Sequence, residues 1–248
     1  MPRVDLNCDL GEGAGHDAEL MRLVSSANIA CGGHAGDART MLATLRLAKE
    51  QGVAVGAHPG FVDRANFGRV EMPVTSAQVH GLVLSQVQDL LALAGQAQVR
   101  VHHVKPHGAL YNMAARDPVL AEAVAAAVYE ADPRLVLVGL AGSRLLDAGS
   151  ACGLSTLSEV FADRTYRSDG SLTPRRETGA LIEDPVRAVA QVLGMVRDGY
   201  VIATDGSRVA IKTDTVCLHG DGLHAVEFAR LLRVELEAAG IEIKAHGA

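Results

Sequence analysis

Short runs rich in Val, Ile, Leu and Ala alternate along the chain with longer segments of helical period, the signature of parallel βα units. The pattern predicts strands over residues 3–9, 27–31, 53–57, 99–105, 135–139, 154–160 and 209–218. Seven such strands point to an α/β fold, a parallel β/α barrel. The helices between them carry start signals. Thr75 with Gln78 makes a capping box before an amphipathic segment reaching about residue 97, Asp37 caps a helix running to residue 51, and Asp117-Pro118 and Asp184-Pro185 each set an N-cap before a first-turn proline. Gly52, Gly95 and Gly240 fall where helices should stop.

In the first strand Val4, Leu6 and Cys8 share one face and Asp5, Asn7 and Asp9 the other. Both faces of a parallel barrel strand are buried, so this second face must line a polar interior. Asp9, with Glu12 close behind, is expected to act directly on a ligand. Asp5 lies deeper, and Lys105 or Lys212 is its expected partner. A second regularity is a histidine where an apolar run meets a tight turn: NIACGGH at His34, VAVGAH at His58, HHVKPH at His107 and VCLHGD at His219. Imidazole titrates near neutral pH, and four such groups at strand ends suggest one polar site of an enzyme. Residues 58–73 and 161–179, rich in Arg and Asp, exceed a minimal βα repeat and place Arg69 and Arg164 in long loops after strand ends.

The 248 residues, 48% of them hydrophobic, fit one barrel-sized domain over residues 1–248, with no linker-like stretch. A net charge of −6, four Phe, four Tyr and no Trp argue against nucleic acid as a partner. No apolar run reaches membrane-spanning length and the first residues lack a signal core, so a cytoplasmic protein is expected. Cys8, Cys31, Cys152 and Cys217 form no CxxC pair and are expected as free thiols, with Cys217 on the same strand face as His219. HExxH and paired Cys/His zinc spacings are absent, leaving Asp9, His34 and His58 as the trio able to bind a divalent metal across adjacent strand ends. There is no GxxxxGK[ST] loop and no GxSxG elbow.

Taken together, DLNCDLGEG, NIACGGHAGD, GAHPG, VKPHGALYN, EVFADRTYRSDG and CLHGD resemble the LamB/YcsF family, in order, from residue 4 to about residue 239. The stretch DRANFGRVEM departs from that family's DxxGFGRR pattern at Asn66 and Val70, while Arg69 matches. The resemblance implies a distorted seven-stranded TIM-like barrel of the glycoside hydrolase/deacetylase type. It also implies a hydrolase acting on a cyclic amide: ATP-dependent cleavage of 5-oxo-L-proline (pyroglutamate) to L-glutamate, performed with partner subunits B and C that use the ATP. A homo-oligomer stays open. On that reading Asp9 or His58 is the base for the attacking water, and His107 or Lys105 stabilises phosphoryl oxygens. Glu12 or His34 protonates the departing nitrogen, and Arg69, Arg164 or the turn at residues 32–37 takes the substrate carboxylate. Asn7 and His219 complete the substrate-facing set. Two competing readings are a metal-dependent deacetylase or amidohydrolase on the same barrel, and a non-catalytic subunit that only binds substrate.

Overall fold

The alternation of the first strand reappears as the wall of a closed barrel. The structure, a computed structural model, describes residues 2–218 and 225–247. Strands β1 (Arg3–Leu10), β2 (Ser26–Ala30), β3 (Ala54–His58), β4 (Val101–Val104), β5 (Val136–Leu140) and β6 (Thr156–Phe161) lie side by side in chain order, all parallel. The chain then forms an antiparallel hairpin, β7 (Tyr200–Ile202) and β8 (Arg208–Ala210), before β9 (Thr215–Leu218) pairs with both β6 and β1 and shuts the barrel. A short β10 (Glu242–Ile243) extends the pairing of β1 at Arg3 and Val4. The first six expected strands land within two residues of their predicted ends. The seventh does not: residues 209–218 divide between the hairpin and the barrel wall. The cause is the Asp205-Gly206 turn, where Gly206 has φ +84° and the Asp205 carboxylate accepts from Ser207 N–H, folding the chain back on β7.

Helices α1 (Asp17–Leu20), α2 (Ala38–Gln51), α3 (Ser76–Ala97), α4 (Gly108–Arg116), α5 (Pro118–Ala131), α6 (Arg144–Ala151), α7 (Pro185–Leu193) and α8 (Ala225–Ala238) occupy the connections and the chain end. Asp37, Asp117 and Asp184 cap α2, α5 and α7, and Thr75 with Gln78 forms both bonds of a capping box on α3. Gly52 ends α2 in the left-handed conformation as expected, but α3 runs through Gly95 and stops at Gln98, φ +53°. Its buried stripe of Val79, Val83, Val87, Leu90 and Ala94 still has a partner at that point, and packing overrides the glycine. None of the described helices is long and apolar enough to cross a membrane.

The apolar core lies between strands and helices: Val4, Leu6, Cys8, Leu10, Ile29, Val55 and Val104 all belong to it. The alternate residues turn inward and are polar, with Asp5, Asn7, Asp9, Ser26, Asn28, His103, Lys105, Glu159 and Thr215 all buried. Gly56 makes this filling possible, because a Cβ there would fall inside the His103 ring.

Candidate active site

The lumen is filled from the bottom by a continuous hydrogen-bond ladder. Asp5 accepts from Ser25, Ser26 and Thr215 at 2.6–2.7 Å, and burial raises its pKa while those hydroxyls pull it back. Neither lysine expected as its partner is there, since Lys105 sits higher and Lys212 pairs with Asp214 at the surface. Asn7 donates to Thr215 and Glu159. Asn28 donates to Asn7 and Asp9 at 2.8 Å and accepts from His103 Nε2 at 2.7 Å, which engages both amide hydrogens and the oxygen. Burial, then the neighbouring His102 and Lys105 charges, lowers the His103 pKa to about 3 and keeps the ring neutral.

Lys105 marks the next level. Its Nζ lies 2.9 Å from Asp9 Oδ1, 2.8 Å from Glu159 Oε1 and 3.0 Å from Cys217 Sγ. Burial opposes the charge, but the two carboxylates outweigh it and hold the Lys105 pKa well above the ordinary lysine value. The backbone fixes this placement, because the β3–β4 ladder continues past the strand ends: Lys105 N–H donates to Ala57 O and His107 N–H to Pro59 O. Cys217 is buried as expected, yet on the lumen side, and burial pushes its thiol pKa well up, so it is a thiol beside the ammonium.

At the strand C-termini three imidazoles and a carboxylate converge. His58 Nδ1 donates to Lys105 O at 2.7 Å, and its Nε2 lies 2.9 Å from His107 Nδ1 and 3.4 Å from Asp9 Oδ2. His107 Nε2 donates to Phe67 O at 2.9 Å. His34 stacks on His107 with centroids 3.6 Å apart and meets Glu12 Oε1 through Nε2 at 2.9 Å, while its Nδ1 is buried without a partner. Burial lowers the His34 and His107 pKa values, His107 further because His58 and His34 adjoin it. Loops deliver these groups. Arg64 donates to Gly32 O and Gly36 O to pin the His34 turn, Asp17 accepts from Gly11 N–H beside Glu12, and Gln86 of α3 clamps Gly60 from both sides. Gly68, φ +62°, passes so close to His34 and His107 that no side chain fits.

One wall of the site carries Glu159, Tyr111, Phe161 and Arg164. The Tyr111 hydroxyl and Glu159 Oε2 are buried without a well-formed bond, and burial followed by the Glu159 charge raises the Tyr111 pKa well up. Arg164 is buried, donates to Thr173 O, and keeps Nε unpartnered; burial and the nearby Arg175 lower its pKa to about 10. Arg69 lies with its guanidinium 4.7 Å above the Phe67 ring, beside His107.

The structure therefore brings Asn7, Asp9, Glu12, His34, His58, Lys105 and His107 together, with Arg69 and Arg164 on adjoining loops; His219 lies outside the described residues. Lys105 and His107 have their polar atoms engaged within the protein. Among the described residues, the group whose ligand atoms could hold a metal is Glu12, His34, His58 and His107, all within 4.8 Å of one another, so Glu12 and His107 stand beside the expected His34 and His58, while Asp9 Oδ1 is engaged by Lys105 and Asn28 and its Oδ2 lies 3.4 Å from His58. Sequence reasoning missed Asn28, His103, Tyr111 and Glu159. The signal for two of them was present: a lone amide in SANIA and a lone carboxylate in TLSEVF, both within buried strands.

Similar proteins share both sequence and fold. The chain is 52% identical to the A subunit of 5-oxoprolinase from Bacillus licheniformis over 250 residues, covering 99% of each. It is 54% identical to that of Erwinia tasmaniensis, covering 97% of this chain and 98% of the relative, and 54% identical to that of Tolumonas auensis, covering 99% and 100%. The crystal structure of a lactam utilization protein from Thermus thermophilus superposes with a TM-score of 0.91 at 47% identity, covering 98% and 99%. A T48 deacetylase with substrate shares the fold, at a TM-score of 0.53 and 15% identity over 98% of this chain and 87% of that one. A model of the LamB/YcsF family matches residues 4–248, and the chain belongs to that family.

Proposed function

We propose that the chain opens the ring of 5-oxo-L-proline as the A subunit of an ATP-dependent 5-oxoprolinase, releasing L-glutamate together with partner subunits B and C. Its full-length similarity to proteins of that name, and to a lactam utilization protein, supports the activity. The observation that carries the mechanism is Asp9, a buried carboxylate held through Oδ1 at 2.9 Å from Lys105 Nζ and turned through Oδ2 toward His58. Free cysteines, with Cys8, Cys31 and Cys217 buried, suit a reducing cytoplasm. We read residues 1–248 as one barrel domain.

A lactam is an unactivated amide, so phosphorylation of its carbonyl oxygen by ATP, assigned to the partners, makes the ring carbon electrophilic. Water then adds to that carbon. Asp9 takes the water proton and passes it to the ring nitrogen as the C–N bond breaks, leaving an amine and an acyl phosphate. A second water cleaves the acyl phosphate to glutamate and phosphate. Lys105 acts by holding Asp9 in place. Arg164, with its buried unpartnered Nε, takes the substrate carboxylate, and Arg69 at the mouth faces the phosphoryl oxygens.

The test measures 5-oxoproline-dependent ATP hydrolysis and glutamate release by this chain alone, by B with C, and by all three. Glutamate is expected only from the complete set, and Asp9→Asn should lower its turnover by about 100-fold or more. Glutamate from B and C without this chain would sink the assignment. A deacetylase reading has only a shared fold behind it. A purely binding subunit predicts weaker assembly but normal turnover at saturation in Asp9→Asn.

A further inference from the structure

We propose that Glu12, His34, His58 and His107 bind one divalent first-row transition ion of the zinc class at the mouth of the barrel. The proposal rests on the lactam-opening reading for what the ion does in turnover, while its existence is tested separately. The four side chains converge. Each residue offers one ligand atom and all four lie within 4.8 Å of one another, with His58–His107 at 2.9 Å, His34–Glu12 at 2.9 Å, His107–Glu12 at 3.5 Å and His58–Glu12 at 3.8 Å. Tetrahedral coordination with bonds of about 2.0–2.1 Å needs edges of roughly 3.3 Å, within that range.

His58 Nδ1 and His107 Nε2 each face a backbone carbonyl, which can only accept, so each of those nitrogens carries a hydrogen. In the neutral rings, the two nitrogens facing each other at 2.9 Å are then both lone pairs. Two lone pairs at that distance repel unless a cation lies between them, either one shared proton or a metal. The carbonyls also do what an outer shell does for metal-bound imidazoles, fixing tautomer and ring direction. Glu12 brings a negative charge to the same point.

The donor set selects among ions. Three imidazoles, one carboxylate and no thiolate suit Zn²⁺, Co²⁺ or Ni²⁺ and not Mg²⁺ or Ca²⁺, which prefer oxygen. His34 is the adjustable member: its ring is parallel to His107 within 7°, so the two lone pairs do not converge until one ring tilts. His34, whose Nδ1 has no outer partner, is the ring able to do so.

The full chain is stripped with a chelator, dialysed against Zn²⁺ or Co²⁺, desalted, and assayed for ion content by mass spectrometry. One ion per chain is expected, and the Co²⁺ form should show the intense visible bands of a tetrahedral site. His58→Gln and His107→Gln should each weaken binding by at least about 100-fold, while Asp9→Asn keeps the ion. Circular dichroism checks that the variants are folded; should they not be, the wild-type Co²⁺ spectrum decides by itself. Absence of a retained ion, a weak octahedral spectrum, or equal retention in folded His58 and His107 variants overturns the proposal and leaves a shared proton. Loss of the ion in Asp9→Asn overturns this ligand set. An ion that is bound while the complete set of subunits releases no glutamate overturns the lactam reading and leaves the site standing.

Discussion

Gly56 on β3 pairs with His103 on the neighbouring strand β4 and sits directly against its ring, where a single methyl group would overlap three ring atoms. The ring has no room to yield, being buried and bonded to Asn28. Gly56→Ala should therefore destabilise the fold by about 1–3 kcal/mol, seen as a fall in Tm of roughly 2–4 °C per kcal/mol. An unchanged Tm would show that the lumen is looser than these contacts imply.

His103 also gives the protein an acid sensitivity. Its folded pKa of about 3 lies below the ordinary histidine value, so below about pH 6.5 the unfolded chain takes up a proton that the native ring refuses. The contribution is whole above pH 6.5 and drains away toward pH 3, with a slope approaching about 1.4 kcal/mol per pH unit. His103→Gln should be less stable at pH 7 through its altered bond to Asn28, and the gap to wild type should narrow at pH 5. Urea unfolding at the two pH values measures this; parallel losses would remove His103 from the account.

Lys105 is the counter-ion of two buried carboxylates, so Lys105→Met leaves Asp9 and Glu159 uncompensated and should cost about 3–5 kcal/mol. Adding Glu159→Gln removes one of those charges. The double variant should be more stable than Lys105→Met alone, a coupling that a double-mutant cycle reads directly. Additive losses would mean that the three groups do not act as a unit.

Arg164→Gln should raise KM for 5-oxoproline about 10- to 100-fold with a smaller change in kcat, the mark of uniform binding lost from a carboxylate contact. A comparator lactam without the carboxylate, 2-pyrrolidinone, should be turned over no worse by the variant than by the wild type. Equal damage to both substrates would reduce Arg164 to a support for its loop.

The barrel wall is legible in the sequence because period-two and period-3.6 patterns are local. So is the Asp5, Asn7, Asp9 face, since charge in a doubly buried strand can only line a polar interior. The strand-end histidines His34, His58 and His107 are visible for the same reason. What the chain hides is who meets whom inside the lumen. Asn7 reaches Glu159 and Thr215, far along the sequence, through the closure of β9 onto β1 and β6, which no local period encodes. The pattern thus gives Asp5 a lysine partner where three hydroxyls serve it. Tyr111 comes from a helix and carries no lumen signal. The β7–β8 hairpin, by contrast, is announced by Asp205-Gly206 and obscured by the apolar run that follows it.

The ladder from Asp5 through Thr215, Asn7 and Asn28 to Asp9 makes the barrel a stoppered vessel, not a tube. Whatever enters at the histidine end must leave by the same opening. Glutamate, longer and more charged than the ring it came from, blocks the next lactam until it has gone, so traffic at that one doorway can limit turnover however fast the bond breaks.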